Sequence, residues 1–530
     1  MNVLVCDPIS AEGIAALRQS EGLNVIVLEK RPTEEELISL VSEVNAIVVR
    51  SETKITRNVI SAAPVLKVVG RAGVGVDNVD LAAATEAGVI VMNTPSGNTI
   101  ATAELTCAMM LSIARKIPAA DASMKAGQWD RKTFKGTELF GKTLGVVGMG
   151  RIGTEVTKRA QAFGMNVITY SPILSASMAK ELGVEMVSMD EIYTRSDYIT
   201  FHVPLTDETR NLVNAKTISK MKHGIRIVNC ARGGIIVLED LIEGLKSGQI
   251  GAAALDVYPT EPLPPDSPLR QVPNLVLTPH LGASSKEAQI RVGMEIAESI
   301  ATYLKSGEIR NAVNLTDWNL DASEYTTIKP YLELGEKIGS MASQLTPMRN
   351  EKITITFGGN ASQLKTEPIV RSVLYGFLKS NSSGVNYVNV LAKTKTRGLS
   401  VISNTSDETR DFKEWIRICV DSIDAKIIID GTFFGTNMSP RIIRINEYHV
   451  EVVPQGVILI SQNLDTPGVV AKISALLSKY SVNIANMTLD RDTIGGKAMM
   501  VLNLDSVPPE DVLVELKNVS EIKDIRVLVL

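Results

Sequence analysis

The chain has 530 residues, 45% of them apolar, and a formal net charge of −4. That length accommodates about three or four domains with buried cores, and the mild acidity excludes a general electrostatic pull toward nucleic acid or a membrane surface. Four scattered cysteines, Cys6, Cys107, Cys230 and Cys419, form no Cys-x-x-Cys pair, which argues against disulfides and against a zinc site. The first residues lack a basic stretch followed by an apolar one, and no apolar run is long enough to span a bilayer. A cytoplasmic protein without a metal is expected.

The first hundred residues alternate short Val/Ile-rich runs, at 3–5, 25–28, 46–49, 67–69 and 89–92, with amphipathic helical stretches, the pattern of a parallel α/β unit. A long helical segment at 99–115 leads into the stretch LGVVGMGRIG, residues 144–153. A strand at 143–147 runs into these glycines, a helix follows at 151–163 and a second strand at 166–170. This is the context a dinucleotide fingerprint requires. Gly148 permits the tight turn, Gly150 lets the backbone approach a pyrophosphate, Gly153 lets helix pack on strand, and the helix N-terminus faces the anion.

The chemistry-bearing residues lie downstream. In VNCARGG, residues 228–234, an apolar strand ends in Arg232 followed by glycines, which places a guanidinium at the edge where doubly wound sheets bind ligands. Its fork suits a carboxylate, and its fixed charge polarises a carbonyl; a surface arginine in a turn is the lesser alternative. His280 also sits just past an apolar strand, in LTPHLGAS at 277–284. An alcohol that loses hydride must shed a proton, and imidazole exchanges one near neutrality. Glu261, in the Pro-rich YPTEPLP at 258–264, could orient that ring and favour its protonated form, although most such glutamates are merely solvated. The other histidines, His202, His223 and His449, read as structural.

A helix at 285–306 is expected to return the chain to the first lobe, so that one lobe is built from two separated pieces and the cleft between lobes is the active site. Residues 317–453 carry strands such as 352–356, 398–403 and 426–430, without nucleophile–base or metal-ligand spacing. The last segment reads β-α-β-β-α-β at 457–461, 468–480, 482–489, 497–504, 509–518 and 525–529, a ferredoxin-like sandwich. Its Asp-Thr-Pro-Gly turn at 465–468 and Val-Asn-Ile at 482–484 resemble the small-molecule-sensing ACT module.

Arg232, Glu261 and His280 in that order, downstream of the fingerprint, are similar to the D-isomer-specific 2-hydroxyacid dehydrogenase family. GRAGVGVDNVD at 70–80, NTPSGN at 93–98, PHLGAS at 279–284 and the terminal ACT-like module resemble most closely its long-form branch acting on 3-phospho-D-glycerate. The resemblance implies a Rossmann-type nucleotide domain (99–282) inserted in a flavodoxin-like substrate domain (1–98 and 283–316). An α/β intervening domain of allosteric substrate-binding type (317–453) and a ferredoxin-like ACT domain (454–530) would follow. It implies NAD-linked oxidation to 3-phosphooxypyruvate, the entry step to L-serine, by a homotetramer.

By the same carry-over His280 accepts the hydroxyl proton, Glu261 is its partner and Arg232 holds the carboxylate and the C2 oxygen. Gly148, Gly150, Arg151, Ile152, Gly153, Ser171, Pro204, Cys230, Ala231, Arg232, Asp256, His280, Gly282 and Ala283 line the cofactor. Arg50, Arg71, Val74, Gly75, Asn98, Arg131 and Lys132 serve the substrate, with Ala72 to Gly75 letting backbone approach it. Asp465 and Asn483 occupy effector positions for L-serine. Two departures stand out. Ser171 replaces the family's usual aspartate, which keeps NAD favoured while relaxing discrimination against NADP, and Ser461-Gln-Asn463 replaces a usual histidine or tyrosine context. A hydroxypyruvate or glyoxylate reductase, and a dinucleotide-sensing scaffold or co-repressor, remain the competing readings.

Overall fold

The computed structural model describes residues 1–318, 320–346, 350–408, 410–423 and 425–530. Its first sheet places the strands Asn24–Val27, Asn2–Val5, Ala46–Val49, Val68–Arg71 and Ile90–Met92 side by side in that order, all parallel. Numbered along the chain the order is 2-1-3-4-5, the flavodoxin-like arrangement the sequence leads one to expect. Ala46–Val49 is buried at every position, as a parallel strand covered by helices on both faces must be.

The second sheet has seven parallel strands: Leu275–Leu277, Ile250–Leu255, Ile225–Asn229, Tyr198–Phe201, Thr143–Val147, Asn166–Tyr170 and Glu185–Met186. The order reverses at Thr143–Val147, which makes the C-terminal end of that strand the switch point where such sheets take ligands. The helix Thr99–Arg115, which leads from the first lobe into the second, packs on the second sheet and on the helix Arg151–Ala162, buried along Thr102, Ala103, Thr106, Cys107 and Met110. The helix Lys286–Ser306, capped by Ser285 Oγ, returns to the first sheet. Val292, Ile296 and Ile300 on this helix join Val3, Val5 and Val68 in one core.

Beyond Leu315 the same apolar cluster continues through Trp318 into the helices Ala322–Leu345 and Thr366–Lys379 and the strands they cover. The sheet there orders Ser400–Ser406, Asn350–Gly359, Glu414–Ser422, Lys426–Phe434, Ser439–Ile445 and Tyr448–Val452, antiparallel except for its first pair. The C-terminal sheet, Ile484–Arg491, Lys497–Leu504, Val457–Leu464 and Ile522–Val529, has the 2-3-1-4 order of a ferredoxin-like sandwich. Seven of the eight residues of Lys497–Leu504 are buried, because Met500 and Leu502 face this module's own helices while Met499 and Val501 pack on the preceding sheet's core. No helix among the described residues is long and apolar enough to cross a membrane.

Candidate active site

The fingerprint turn behaves as its glycines require. Gly148 has φ 96° in the left-handed region, and a Cβ on Gly153 would overlap the Gly148 carbonyl. A Cβ on Gly150, which caps the helix Arg151–Ala162 with no side-chain bond to the helix amides, would meet nothing within 4 Å. These amides, and the Ser171 hydroxyl, which is buried without a hydrogen-bond partner among the described residues, fit a dinucleotide laid across the switch point. Ile152 is half-buried beside the turn, Arg151 is exposed, and Pro204 follows the neighbouring strand, its carbonyl accepting from Thr209 Oγ1.

On the opposite half of this sheet three strand ends carry charge. His280 Nδ1 lies 2.6 Å from Glu261 Oε2, and the Tyr258 N–H donates to Glu261 Oε1 at 2.9 Å, so both carboxylate oxygens are fixed. Burial alone would raise the Glu261 carboxyl, but the hydrogen bonds from His280 and Tyr258, with the charges of His280 and Arg232, hold it below the ordinary carboxylate range. His280 has φ 56°, a backbone state rare outside glycine. Asp256 accounts for it: Oδ1 accepts from the Thr278 hydroxyl at 2.6 Å and the Leu281 amide at 2.7 Å, and Oδ2 from the Gly282 amide at 2.9 Å. The fully buried Asp256 therefore grips the backbone on both sides of the histidine, and burial raises its own carboxyl against those bonds. Thr102 Oγ1 donates to the Gly282 carbonyl, tying the same loop to the interlobe helix, and half-buried Ala283 follows.

Arg232 faces this pair from the next strand. Its Nε pairs with Asp77 Oδ2 at 3.1 Å, and Nη1 donates to the Ala231 carbonyl; Asn229 supports the turn through the Ala231 amide and the Arg232 carbonyl. Cys230 is buried against Met109, and burial pushes its thiol up to about 12. Arg71 is enclosed near Arg232 and Arg50, and burial, followed by those two like charges, lowers its guanidinium to about 10. The glycines at 73 and 75 make room for these side chains: a Cβ on Gly73 would overlap Arg71 Nη1, and one on Gly75 would overlap Arg232 Nη2. In the stretch expected to let a substrate approach the backbone, two guanidiniums of the chain itself lie against the glycines. Val74 is held by its carbonyl through Asn93 Nδ2, and Asn98 Oδ1 is buried without a partner.

A cleft of about 920 Å³ opens between the lobes, lined by Arg50, Glu261 and His280, and also by Arg31, Lys54 and Arg270. The last three were not anticipated. Asp7 was missed as well: its carboxylate accepts from the Arg50 and Thr53 amides and the Thr53 hydroxyl, while Asn78 Nδ2 donates to the Arg50 and Thr53 carbonyls. Together they shape the turn that presents Arg50. Asp7 lies two residues past the first strand, and Asp77 and Asn78 lie within the stretch 70–80, so position is their only signal in the sequence. Arg131 and Lys132 are not brought to this cleft; they sit exposed on a loop where Asp130 accepts from the Lys132 amide. In the C-terminal module Asp465 is paired with Arg491 Nη1 at 2.8 Å, and Asn483 Nδ2 donates to Asp505.

Three family models match successive parts of the chain. The family model described as D-isomer specific 2-hydroxyacid dehydrogenase, NAD binding domain, matches residues 107–282. The D-3-phosphoglycerate dehydrogenase intervening domain matches 327–446, and the ACT domain 456–521. The D-3-phosphoglycerate dehydrogenase of Methanocaldococcus jannaschii is 42% identical over 530 residues, covering 100% of this chain and 99% of the relative. The chain belongs to the D-3-phosphoglycerate dehydrogenase family. The enzyme of that name from Archaeoglobus fulgidus is 43% identical over 527 residues, 99% of each chain. Among solved structures, a glyoxylate reductase from Paecilomyes thermophila is 31% identical with a TM-score of 0.54, covering 59% of this chain and 98% of its own. This D-3-phosphoglycerate dehydrogenase family member is thus an NAD-dependent oxidoreductase, with a regulatory module that the reductase-like part does not account for.

Proposed function

We propose that the chain oxidises 3-phospho-D-glycerate at C2 to 3-phosphooxypyruvate with NAD, the step that feeds L-serine synthesis. The observation that carries this reading is the gathering of Arg50, Arg71 and Arg232 beside the His280–Glu261 pair: three cations for a substrate with a carboxylate at one end and a phosphate at the other. NAD, when bound, supplies the hydride acceptor. With Nδ1–H donated to Glu261, the other ring nitrogen of His280 is the one in the basic form, and it takes the proton of the C2 hydroxyl. Glu261 steadies the imidazolium that results, and Arg232 holds the carboxylate and stabilises the oxygen that becomes a carbonyl. Asp256 keeps the histidine loop in its unusual backbone state.

The same likeness supports the division into 1–98 with 283–316, 99–282, 317–453 and 454–530, a cytoplasmic homotetramer, and a second substrate site in the intervening domain. Arg131 and Lys132, on an exposed loop, would serve a substrate only if assembly brings that loop to a cleft. L-serine is the effector we assign to the ACT module, where it would displace Arg491 from Asp465 and Asp505 from Asn483. The deciding assay is NADH consumption with 3-phosphooxypyruvate beside hydroxypyruvate. Strong preference for the phosphorylated substrate is expected; equal rates would replace this reading with the reductase one.

A further inference from the structure

The strand Asn166–Tyr170 ends where a dinucleotide fold presents its acidic residue to the adenosine ribose, about 20 residues beyond the fingerprint. The Tyr170 carbonyl accepts from the Gly148 amide at 2.9 Å, so the next residue is fixed to the phosphate-binding turn within one peptide unit. That residue is Ser171, 5% exposed, with its Oγ lacking any partner among the described residues. The segment that follows, SPILSASMA at 171–179, contains no charged side chain. The position therefore has neither the carboxylate that would repel a 2′-phosphate nor a cation that would attract one.

We propose that Ser171 sets a weak coenzyme discrimination, so that the chain binds NADP and NADPH as well as NAD and NADH, with the unphosphorylated pair only modestly ahead. The proposal rests on the dinucleotide reading of the fingerprint and not on the identity of the substrate. A carboxylate within a few ångströms of a phosphate works against it through an unfavourable Coulomb term, whereas a hydroxyl donates to either a ribose oxygen or a phosphate oxygen. The buried hydroxyl without a protein partner is the group a ribose or its phosphate would satisfy.

The test is direct binding, by titrating the full-length protein with NADH and with NADPH and following nicotinamide fluorescence without substrate. Wild type should bind NADH less than about thirtyfold more tightly than NADPH. Ser171→Asp should widen that ratio at least about fivefold, mainly by weakening NADPH, and added salt should narrow it again because the effect is electrostatic. Ser171→Asn, similar in size but neutral, should keep the narrow ratio. A wild-type ratio above about thirtyfold overturns the proposal whatever the variants do, and so does an Asp variant that folds with its ratio unchanged. Failure to bind either coenzyme would overturn the dinucleotide reading and this inference with it, whereas failure on 3-phosphooxypyruvate would leave it standing.

Discussion

The edge of the nucleotide sheet and the first turn of the ACT module hold similar groups in opposite states. At the sheet edge Glu261 and Asp256 are spent on positioning His280 and its loop, Asp77 reaches Arg232 from the first lobe, and the histidine and Arg50 line an open cleft. In the ACT module Asp465 and Asn483 are satisfied by Arg491 and Asp505 of the same chain. Acidic groups in the first region prepare others to meet a ligand, while Asp465 in the second is already paired within the chain. The contrast teaches that a catalytic constellation is costly to leave loose, since reacting atoms tolerate little misplacement, whereas a sensor gains by having something to exchange.

The comparison breaks most sharply at His280. His280→Gln is expected to lower kcat by roughly a hundred- to ten-thousandfold, the range for removing a general base, with NADH affinity held in a fluorescence titration. Loss of coenzyme binding along with activity would mean the ring supports the loop rather than the proton. Arg232→Lys comes next. It keeps the charge but loses the planar fork, so kcat/KM for 3-phosphooxypyruvate should fall about a hundredfold, with NADH affinity again intact. A variant within a fewfold of wild type would move the carboxylate clamp to another cation.

Glu261 provides the pH test. Its carboxyl is held below the ordinary range in the folded chain, so the unfolded chain binds a proton first as pH falls, and the interaction stabilises the fold above the usual glutamate pKa of about 4.3. That contribution is lost only as pH drops through the lower folded value. Glu261→Gln should reduce kcat by about tenfold and lower the melting temperature at pH 6, the difference from wild type shrinking toward pH 3. A difference that grows on acidification would contradict the sign of the shift.

Much of this architecture is legible in the chain because local rules carry it. The fingerprint glycines, the apolar strand before each of Arg232 and His280, and the six elements of the ACT module all follow from spacing and periodicity. The strands Ser439–Ile445 and Tyr448–Val452 are harder, since Arg441 and Arg444 stand three residues apart and break the alternation of a strand, which the pairing accommodates by a register shift between Ile442 and Arg444. What cannot be read locally is partnership across the fold. Asp77 of the first lobe meets Arg232 of the second only across the lobes, and Asp7 meets the Arg50 turn only after distant strands align side by side. Asp256, expected by likeness beside the cofactor, has its oxygens on Thr278, Leu281 and Gly282, a set of partners no local pattern announces. Arg131 and Lys132 mark a different limit: a pair of basic residues near a tryptophan does not say which way an exposed loop will face.

The smallest expected effect lies in the ACT module and sharpens the other side of the comparison. Arg491 is half exposed, and exposed ion pairs of this kind contribute at most about 1 kcal/mol, so breaking this one should cost little stability. If L-serine must displace Arg491 from Asp465, then Arg491→Met removes the competitor and should tighten L-serine binding by up to about fivefold, read by calorimetric titration of the full-length protein. The Gly495 amide also donates to Asp465 Oδ2, at 3.1 Å, so the carboxylate stays oriented after the arginine is gone. Weaker binding in the variant would show that Arg491 itself contacts the effector carboxylate, turning the ion pair from a lock into part of the site. No heat with either protein would leave the module without serine as its ligand, and the in-chain pairing of Asp465 and Asn483 would then be their structural role.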